Sequence, residues 1–187
     1  MFKSRRNRVW LDGGFVYKEF LVGDGRFEFD NLKHLFSSGV IVPKPISFDG
    51  NVLVTEYIEG VTLVDVIENK SIDADNLAEK IMVWFDKFYA AVSNGVCRGD
   101  VNCRNFILGT NGNLYGVDFE EMYTGRREVD LGKLTAFILT YEPPYTEYKT
   151  RLARVLTEQF VNQFGLDKDL VKRERELELA KMSSRRK

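Results

Sequence analysis

Asn105 and Asp118 stand thirteen residues apart, and the stretch between them reads as a hairpin. Phe106-Ile107-Leu108-Gly109 and Leu114-Tyr115-Gly116-Val117 are short apolar runs around Thr110-Asn111-Gly112-Asn113. An Asn-Gly pair between two such runs is the strongest short-range hairpin signal, because both residues tolerate positive φ. A hairpin returns its ends to one place, so Asn105 and Asp118 are predicted to emerge side by side. Asp100 precedes Asn105, giving Asp-x4-Asn and then Asp118-Phe119. Hard oxygen donors converging at one point suit magnesium, which takes few protein ligands and shares its remaining positions with phosphates. Such short motifs gain meaning only from a matching structural context, so the rest of the chain has to supply it.

The chain has 187 residues, enough for one ordinary domain or two small lobes around a real core. Apolar residues make up 44% and charged residues 29%, a globular profile. The 27 Lys and Arg against 28 Asp and Glu leave no global field that marks a nucleic-acid or membrane binder. Basic residues gather at the two ends, as Lys3, Arg5, Arg6 and Arg8 and as Arg185, Arg186 and Lys187. They read as solvated tails, with nucleic-acid contact through them not favoured. No apolar run approaches the ~18 residues of a membrane span, and no apolar core follows the N-terminal charges as in a signal peptide. The expected location is cytoplasmic. Cys97 and Cys103 lack the spacing and second pair of a zinc site, and two cysteines make no disulfide framework. The single histidine, His34, reads as a surface or half-buried helix residue.

Arg8-Val9-Trp10-Leu11 and Phe15 to Phe20 are β-rich runs joined by a tight turn at Asp12-Gly13-Gly14. The two-residue period places Val16, Lys18 and Phe20 on one face of the second run. A lysine between two apolar neighbours marks either an edge strand or a functional ammonium. From Arg26 to Ser38, Phe27, Leu32, Leu35 and Phe36 recur near helical spacing, with Gly39 as the expected C-terminal cap. Glu28 in its first turn either complements the helix dipole or reaches Lys18. Pro45 to Phe48 and Asn51 to Tyr57 form another hairpin around Asp49-Gly50. The sum is a small antiparallel sheet with one helix packed on it.

The second half reads as helical. Thr62 caps a short helix ending near Asn69, and Asp73 or Asp75 caps the next. There Leu77, Ile81, Trp84, Phe85, Phe88 and Val92 form a broad apolar stripe that reads as core. A buried helix is expected over Leu131 to Tyr141, stopped by Pro143-Pro144. An amphipathic helix is expected from about Thr146 to a cap at Gly165. The closing segment, Lys168 to Lys187, carries a thin stripe of Leu170, Leu177 and Ala180. It reads as loosely packed, frayed or engaged by a partner.

Taken in order, these residues resemble the protein-kinase-like superfamily, closest to its aminoglycoside/choline phosphotransferase-like and atypical small-kinase branches. The resemblance implies an α+β, two-lobed fold. Residues 1–58 would form a nucleotide-binding lobe of small antiparallel sheet plus one helix, and residues 59–187 a reduced, mostly helical catalytic lobe. It implies ATP and Mg2+ as cofactors and a hydroxyl-bearing acceptor as partner. Lys18 stands at the phosphate-binding lysine, Val16 at the adenine roof and Glu28 at the helix glutamate that pairs with the lysine. Val54 to Gly60 looks like the hinge, with the backbone of Glu56 and Ile58 facing adenine. Asp100 matches the catalytic base, Asn105 and Asp118 the metal ligands, and Asp130-Leu131-Gly132 the aspartate that braces the catalytic loop.

The pattern departs from that family in three ways. Arg98 stands where histidine is usual, although Gly99 fits the small-molecule phosphotransferases. Gly13 and Gly14 are the whole of the glycine-rich turn, so a phosphate would meet two backbone amides under a small lid. Eleven residues separate Asp118 from Asp130, and Glu120 replaces a glycine, leaving no room for a regulated activation segment. The expected activity is ATP- and magnesium-dependent phosphoryl transfer to a hydroxyl, at an open acceptor site for a small molecule or a macromolecule. The alternatives are a kinase-like fold that binds nucleotide or a partner without transfer, and an RNA-associated module using the basic ends.

Overall fold

The computed structural model describes residues 7–185; the basic residues at positions 3, 5, 6, 186 and 187 lie outside them. β1 (Asn7–Asp12) and β2 (Phe15–Phe20) pair antiparallel, with Gly13 and Gly14 at φ 53° and 81° forming the turn. Two positive φ values match the right-handed strand twist, which is why glycines sit there. Helix α1 (Arg26–Ser37) follows and closes as predicted, with Gly39 at φ 80° and Val40 N–H donating to the Leu35 carbonyl. β3 (Pro45–Asp49) and β4 (Val52–Glu56) complete a sheet of order β1-β2-β4-β3. The strand carrying Lys18 is therefore internal, and the edge-strand explanation for that lysine does not apply.

A short strand, β5 (Gly60–Thr62), leads into α2 (Leu63–Asn69). Thr62 and Asp65 make a reciprocal capping box at its start. α3 (Ala74–Ala91) begins at the Asp73 cap and buries Leu77, Ile81, Trp84, Phe85 and Phe88. Trp84 is the centre of the core. Its ring meets Phe85, Phe88, Phe106 and Phe119 at 5.0–6.4 Å, and its indole N–H donates to the Ile41 carbonyl at 2.9 Å. Next come β6 (Val96–Cys97), a single 3-10 turn (Cys103–Asn105), then β7 (Phe106–Gly109), β8 (Leu114–Gly116) and β9 (Tyr123–Thr124). β7 and β8 are the predicted hairpin, and β5 pairs with β7 as its third strand.

α4 (Arg127–Thr140) starts a full turn earlier than its apolar period suggests. Three of its first four residues are polar, and Asp130 turns inward to meet backbone donors, so the apolar signal there is weak. α5 (Glu147–Phe164) begins at the Thr146 cap, ends at Gly165 and packs on α3, Phe160 against Phe85 at 5.1 Å. α6 (Lys168–Arg185) departs from the sequence expectation. It docks along α4 through Val171, Glu178 and Met182, whereas Leu177 remains exposed. The reason is Gly132. It lets the α6 backbone so close that a Cβ there would lie 2.6 Å from the Glu174 Cβ. Two helices packed over a glycine make an intimate seam without a leucine stripe. No helix of the described residues is long and apolar enough to cross a membrane.

Candidate active site

Between the four-stranded sheet and the helical part runs a cleft of about 380 Å³. Val9, Val16, Leu53, Thr55 and Leu32 line it from the sheet side, and Ile107, Val117, Asn105 and Asp118 from the other. Glu56, Tyr57 and Ile58 form its edge, where the chain passes from β4 to β5. Gly13 and Gly14 are not brought to it. Their turn lies at the hinge end of the β1–β2 hairpin, with the Gly14 carbonyl accepting from Tyr57 N–H and Phe15 paired with Glu56. They therefore sit away from the lysine end of the cleft. The end of β1 near Lys18 is instead Asn7, which lines the cleft.

The Lys18 ammonium lies 2.7 Å from Glu28, 3.0 Å from Asp118 and 2.5 Å from Glu120. Burial pulls its pKa down, and the three carboxylates more than reverse that, holding it well above the ordinary lysine range. Glu28 is nearly sealed from solvent, and burial pushes its carboxyl up against the pull of Lys18. Its second oxygen accepts from Phe119 N–H at 3.2 Å. One glutamate on α1 therefore grips both the lysine and the Asp118-Phe119 turn. Oxygens of Glu28, Asp118 and Glu120 lie within 4.8 Å of one another, and the Lys18 ammonium among them offsets their repulsion.

That crowding yields a prediction. In Lys18→Met the main influence lowering Glu28 is gone, and Asp118 and Glu120 remain to push it up. A carboxyl whose folded pKa exceeds its unfolded value contributes stability at low pH that is lost as pH rises through the folded value. Thermal melts of the variant should therefore give a midpoint higher at pH 5 than at pH 8. A tenfold difference in proton affinity between the folded and unfolded chain is worth about 1.4 kcal/mol, and each kcal/mol moves the midpoint by about 2–4 °C at this chain length. A pH-independent midpoint would sink the cage interpretation.

On the helical side, Val117 N–H donates to the Asn105 carbonyl at 2.9 Å, closing the hairpin and setting Asn105 beside Asp118. Asp100 accepts from Asn102 N–H at 3.0 Å and from the Asn105 side-chain amide at 2.8 Å. That orientation leaves the Asn105 amide oxygen free to serve as a ligand. Asp118 has φ 66°, a left-handed conformation that aspartate adopts uncommonly and that concentrates at functional sites.

Two residues outside the predicted set hold this arrangement. Glu120, present in the sequence only as a substitution for glycine, binds Lys18 and accepts from the Asn7 amide at 2.6 Å. Arg98 is completely buried, and its guanidinium donates to the carbonyls of Val117 and Asp118 while stacking over Phe119 at 4.6 Å. Burial pulls its pKa below the ordinary value, against the surrounding Asp100, Asp118, Asp130 and Glu28. Beneath it, Asp130 accepts from Arg98 N–H at 2.8 Å, Gly99 N–H at 3.0 Å and the Tyr89 hydroxyl at 3.0 Å. Gly99 has φ 84°, and a Cβ there would fall 1.9 Å from the Glu121 carbonyl oxygen. Only glycine fits that turn. Cys97 and Cys103 are buried, and burial pushes both thiols up to about 12. They are inert packing residues at neutral pH. His34 is exposed, its Nε2 2.8 Å from the Ala91 carbonyl.

The fold is shared with known proteins. By fold, the chain is similar to APH(2")-IIa, solved as a streptomycin–ATP ternary complex, with TM-score 0.59 and 10% identity over 91% of each chain. It is similar to the choline kinase LicA from Streptococcus pneumoniae, with TM-score 0.50 and 17% identity over 98% of this chain and 92% of that one. WbdD, solved with a kinase inhibitor, gives TM-score 0.52 and 15% identity over 90% of this chain and 48% of that one. By sequence, it is 28% identical over 109 residues to 3-deoxy-D-manno-octulosonic acid kinase of Photobacterium damsela subsp. piscicida. That stretch covers 51% of this chain and 42% of the relative, less than half its length. Residues 22–131 match the RIO domain. The match runs from the approach to α1 through Asp100, Asn105 and Asp118 to the start of α4. With more than half of its residues inside that match, the chain belongs to the RIO domain family, within the protein-kinase-like superfamily.

Proposed function

We propose that this chain is an ATP- and magnesium-dependent phosphotransferase acting on a hydroxyl acceptor. The observation that carries the reading is the ion-paired Lys18, Glu28 and Asp118 at one end of an apolar cleft, with Asp100 bonded to Asn105 beside it. The two parts meet here as lobes dividing near residue 58. Val16 and the backbone of Glu56 and Ile58 border a slot suited to a flat, apolar-faced base. The donor set around Asp118 is all oxygen, which fits magnesium rather than a softer metal. Asp118 and the Asn105 amide oxygen would hold it. When bound, magnesium neutralises charge gathering on the phosphoryl oxygens.

The chain's own residues do the rest. Lys18, fixed by Glu28, binds the α- and β-phosphates and turns the terminal phosphate toward the helical side. Glu120 must release the ammonium as phosphate arrives. Asp100, held by two hydrogen bonds, orients the acceptor hydroxyl and accepts its proton as the phosphoryl group transfers. Positioning and electrostatics supply most of the acceleration in this chemistry. The similarity to a protein named as an octulosonic acid kinase favours a small hydroxylated acceptor over a protein. ATP as donor implies a cytoplasmic setting.

The test is calorimetry with ATP and magnesium. Wild type should bind with a single site, and Asp118→Ala should lose magnesium-dependent affinity by about 100-fold, the scale of one removed charge-assisted ligand and its repulsions. Magnesium-independent binding unchanged by the substitution would overturn the assignment. A second reading, nucleotide binding without transfer, is favoured by Glu120 occupying Lys18. Binding with no turnover in any acceptor assay would select it.

A further inference from the structure

The cations near Asp100 divide into two kinds. Lys18 is saturated by three carboxylates, and Arg98 is buried on backbone carbonyls. Arg104 and Lys133 differ. Among the described residues, neither is within ion-pair distance of a carboxylate. Both leave ordered backbone, Arg104 exposed on the 3-10 turn and Lys133 half-buried on α4.

Arg104 projects from the 3-10 turn that links Asp100 to Asn105, and it borders the cleft. The turn is locked. The Asn102 side-chain oxygen accepts from Arg104 N–H at 3.0 Å and from the Tyr141 hydroxyl at 2.9 Å, and Cys103 N–H donates to that hydroxyl at 3.2 Å. The Tyr141 ring lies 5.9 Å from the guanidinium. Lys133 comes from α4. Its half-buried ammonium donates to the carbonyl of Gly99, the residue before Asp100, at 3.1 Å, and lies 5.9 Å from the Tyr123 ring. An ammonium has three donors, and a half-buried one with a single carbonyl partner retains capacity for an anion.

We infer that Arg104 and Lys133 form an anion subsite flanking Asp100, so that the acceptor is an alcohol bearing its own carboxylate or phosphate. This rests on the reading of Asp100 as the residue that meets the acceptor hydroxyl. The surroundings make cations valuable for such an acceptor. Asp100, Asp118, Glu120 and Glu28 give this end of the cleft a negative field, which repels an acidic molecule unless fixed positive groups offset it. Arg104 supplies the planar fork that suits carboxylate and phosphate alike, and Lys133 a point charge. An uncharged alcohol would leave both heads without a counter-charge.

The test reads binding, not turnover. The full chain, with magnesium and a non-hydrolysable ATP analogue, is titrated with D-gluconate, D-glucose 6-phosphate and D-glucose. The Arg104 Nε–H resonance is followed by NMR and identified by its loss in Arg104→Gln. One or both anions should give a saturable shift and glucose none; gluconate alone indicates a carboxylate acceptor, glucose 6-phosphate alone a phosphorylated one. Calorimetry of Arg104→Gln and Lys133→Gln should show anion affinity down about tenfold or more each, as for loss of a charge-assisted hydrogen bond. Anion response equal to that of glucose, no saturation, or wild-type affinity in Arg104→Gln would overturn the subsite. Arg104 is exposed, so that variant decides the matter even if Lys133→Gln melts early. Failure of the phosphotransfer reading shows separately, as magnesium-nucleotide binding indifferent to Asp118→Ala, and leaves the anion titration readable.

Discussion

Asp100→Asn is expected to bind ATP and magnesium as wild type does and to lose about 10²–10⁴-fold in turnover, the usual contribution of a positioned proton acceptor. The expectation follows from where the carboxylate is tied. Its two bonds run to Asn102 N–H and the Asn105 amide, both within its own loop, and it makes no ion pair with Lys18. The loop's shape is held from below by Asp130, through the backbone N–H groups of Arg98 and Gly99. Asparagine keeps the size and the acceptor for Asn102 N–H, gives up the bond to the Asn105 amide, whose backbone the hairpin still fixes, and cannot take a proton. Asp118→Ala should behave oppositely, because Asp118 contacts Lys18 directly. Initial rates at saturating acceptor, set beside calorimetric affinities for both variants, separate the roles. Equal loss of nucleotide affinity in the two would show that the loop acts as one structural unit.

What could be read from the sequence was local chemistry with a fixed offset. The Asn111-Gly112 turn, the cap at Thr62, the choice of Asp73 or Asp75 for the next cap, which the structure resolves to Asp73, and the glycine stops at 39 and 165 depend on residues a few positions away, and they recur in the structure. The convergence of Asn105 and Asp118 was legible for the same reason, since one hairpin enforces it. Distant partners were not. Glu120 meets Lys18 across 102 positions of chain, and nothing near Glu120 announces it. Arg98 looked like a lost histidine because its partners are backbone carbonyls, which carry no sequence signature. Gly13 and Gly14 were recognisable as a turn, but which end of the cleft the turn occupies depends on sheet order. The packing of α6 has no apolar signature because its seam is built on the absence of a side chain at Gly132, and apolar periodicity cannot register an absence.

Arg98→Met is expected to lower stability by about 3 kcal/mol and to weaken magnesium-nucleotide binding, though Arg98 touches neither ligand in the proposed reading. Two effects oppose each other. A fully buried guanidinium is expensive to desolvate, as its lowered pKa reflects, and replacing buried charges with apolar groups is often neutral or stabilising when all partners go together. Here the partners stay. The part-buried Val117 and Asp118 carbonyls would be left without this donor, at a cost of up to about 1–3 kcal/mol each. The neighbouring acids would also lose their compensating charge, so the loss should win. Asp118 holds a left-handed φ of 66°, and without Arg98 its turn has less to oppose relaxation, which moves its carboxylate and reduces affinity. Arg98→Lys should recover only part of both effects, since a single ammonium replaces a planar fork that spans two carbonyls. Urea melts and calorimetry on the two variants decide it. Full stability in Arg98→Met would mean the turn is held by Glu28 and Phe119 packing alone, and normal nucleotide affinity in a destabilised Arg98→Met would break the proposed link from Arg98 to Asp118.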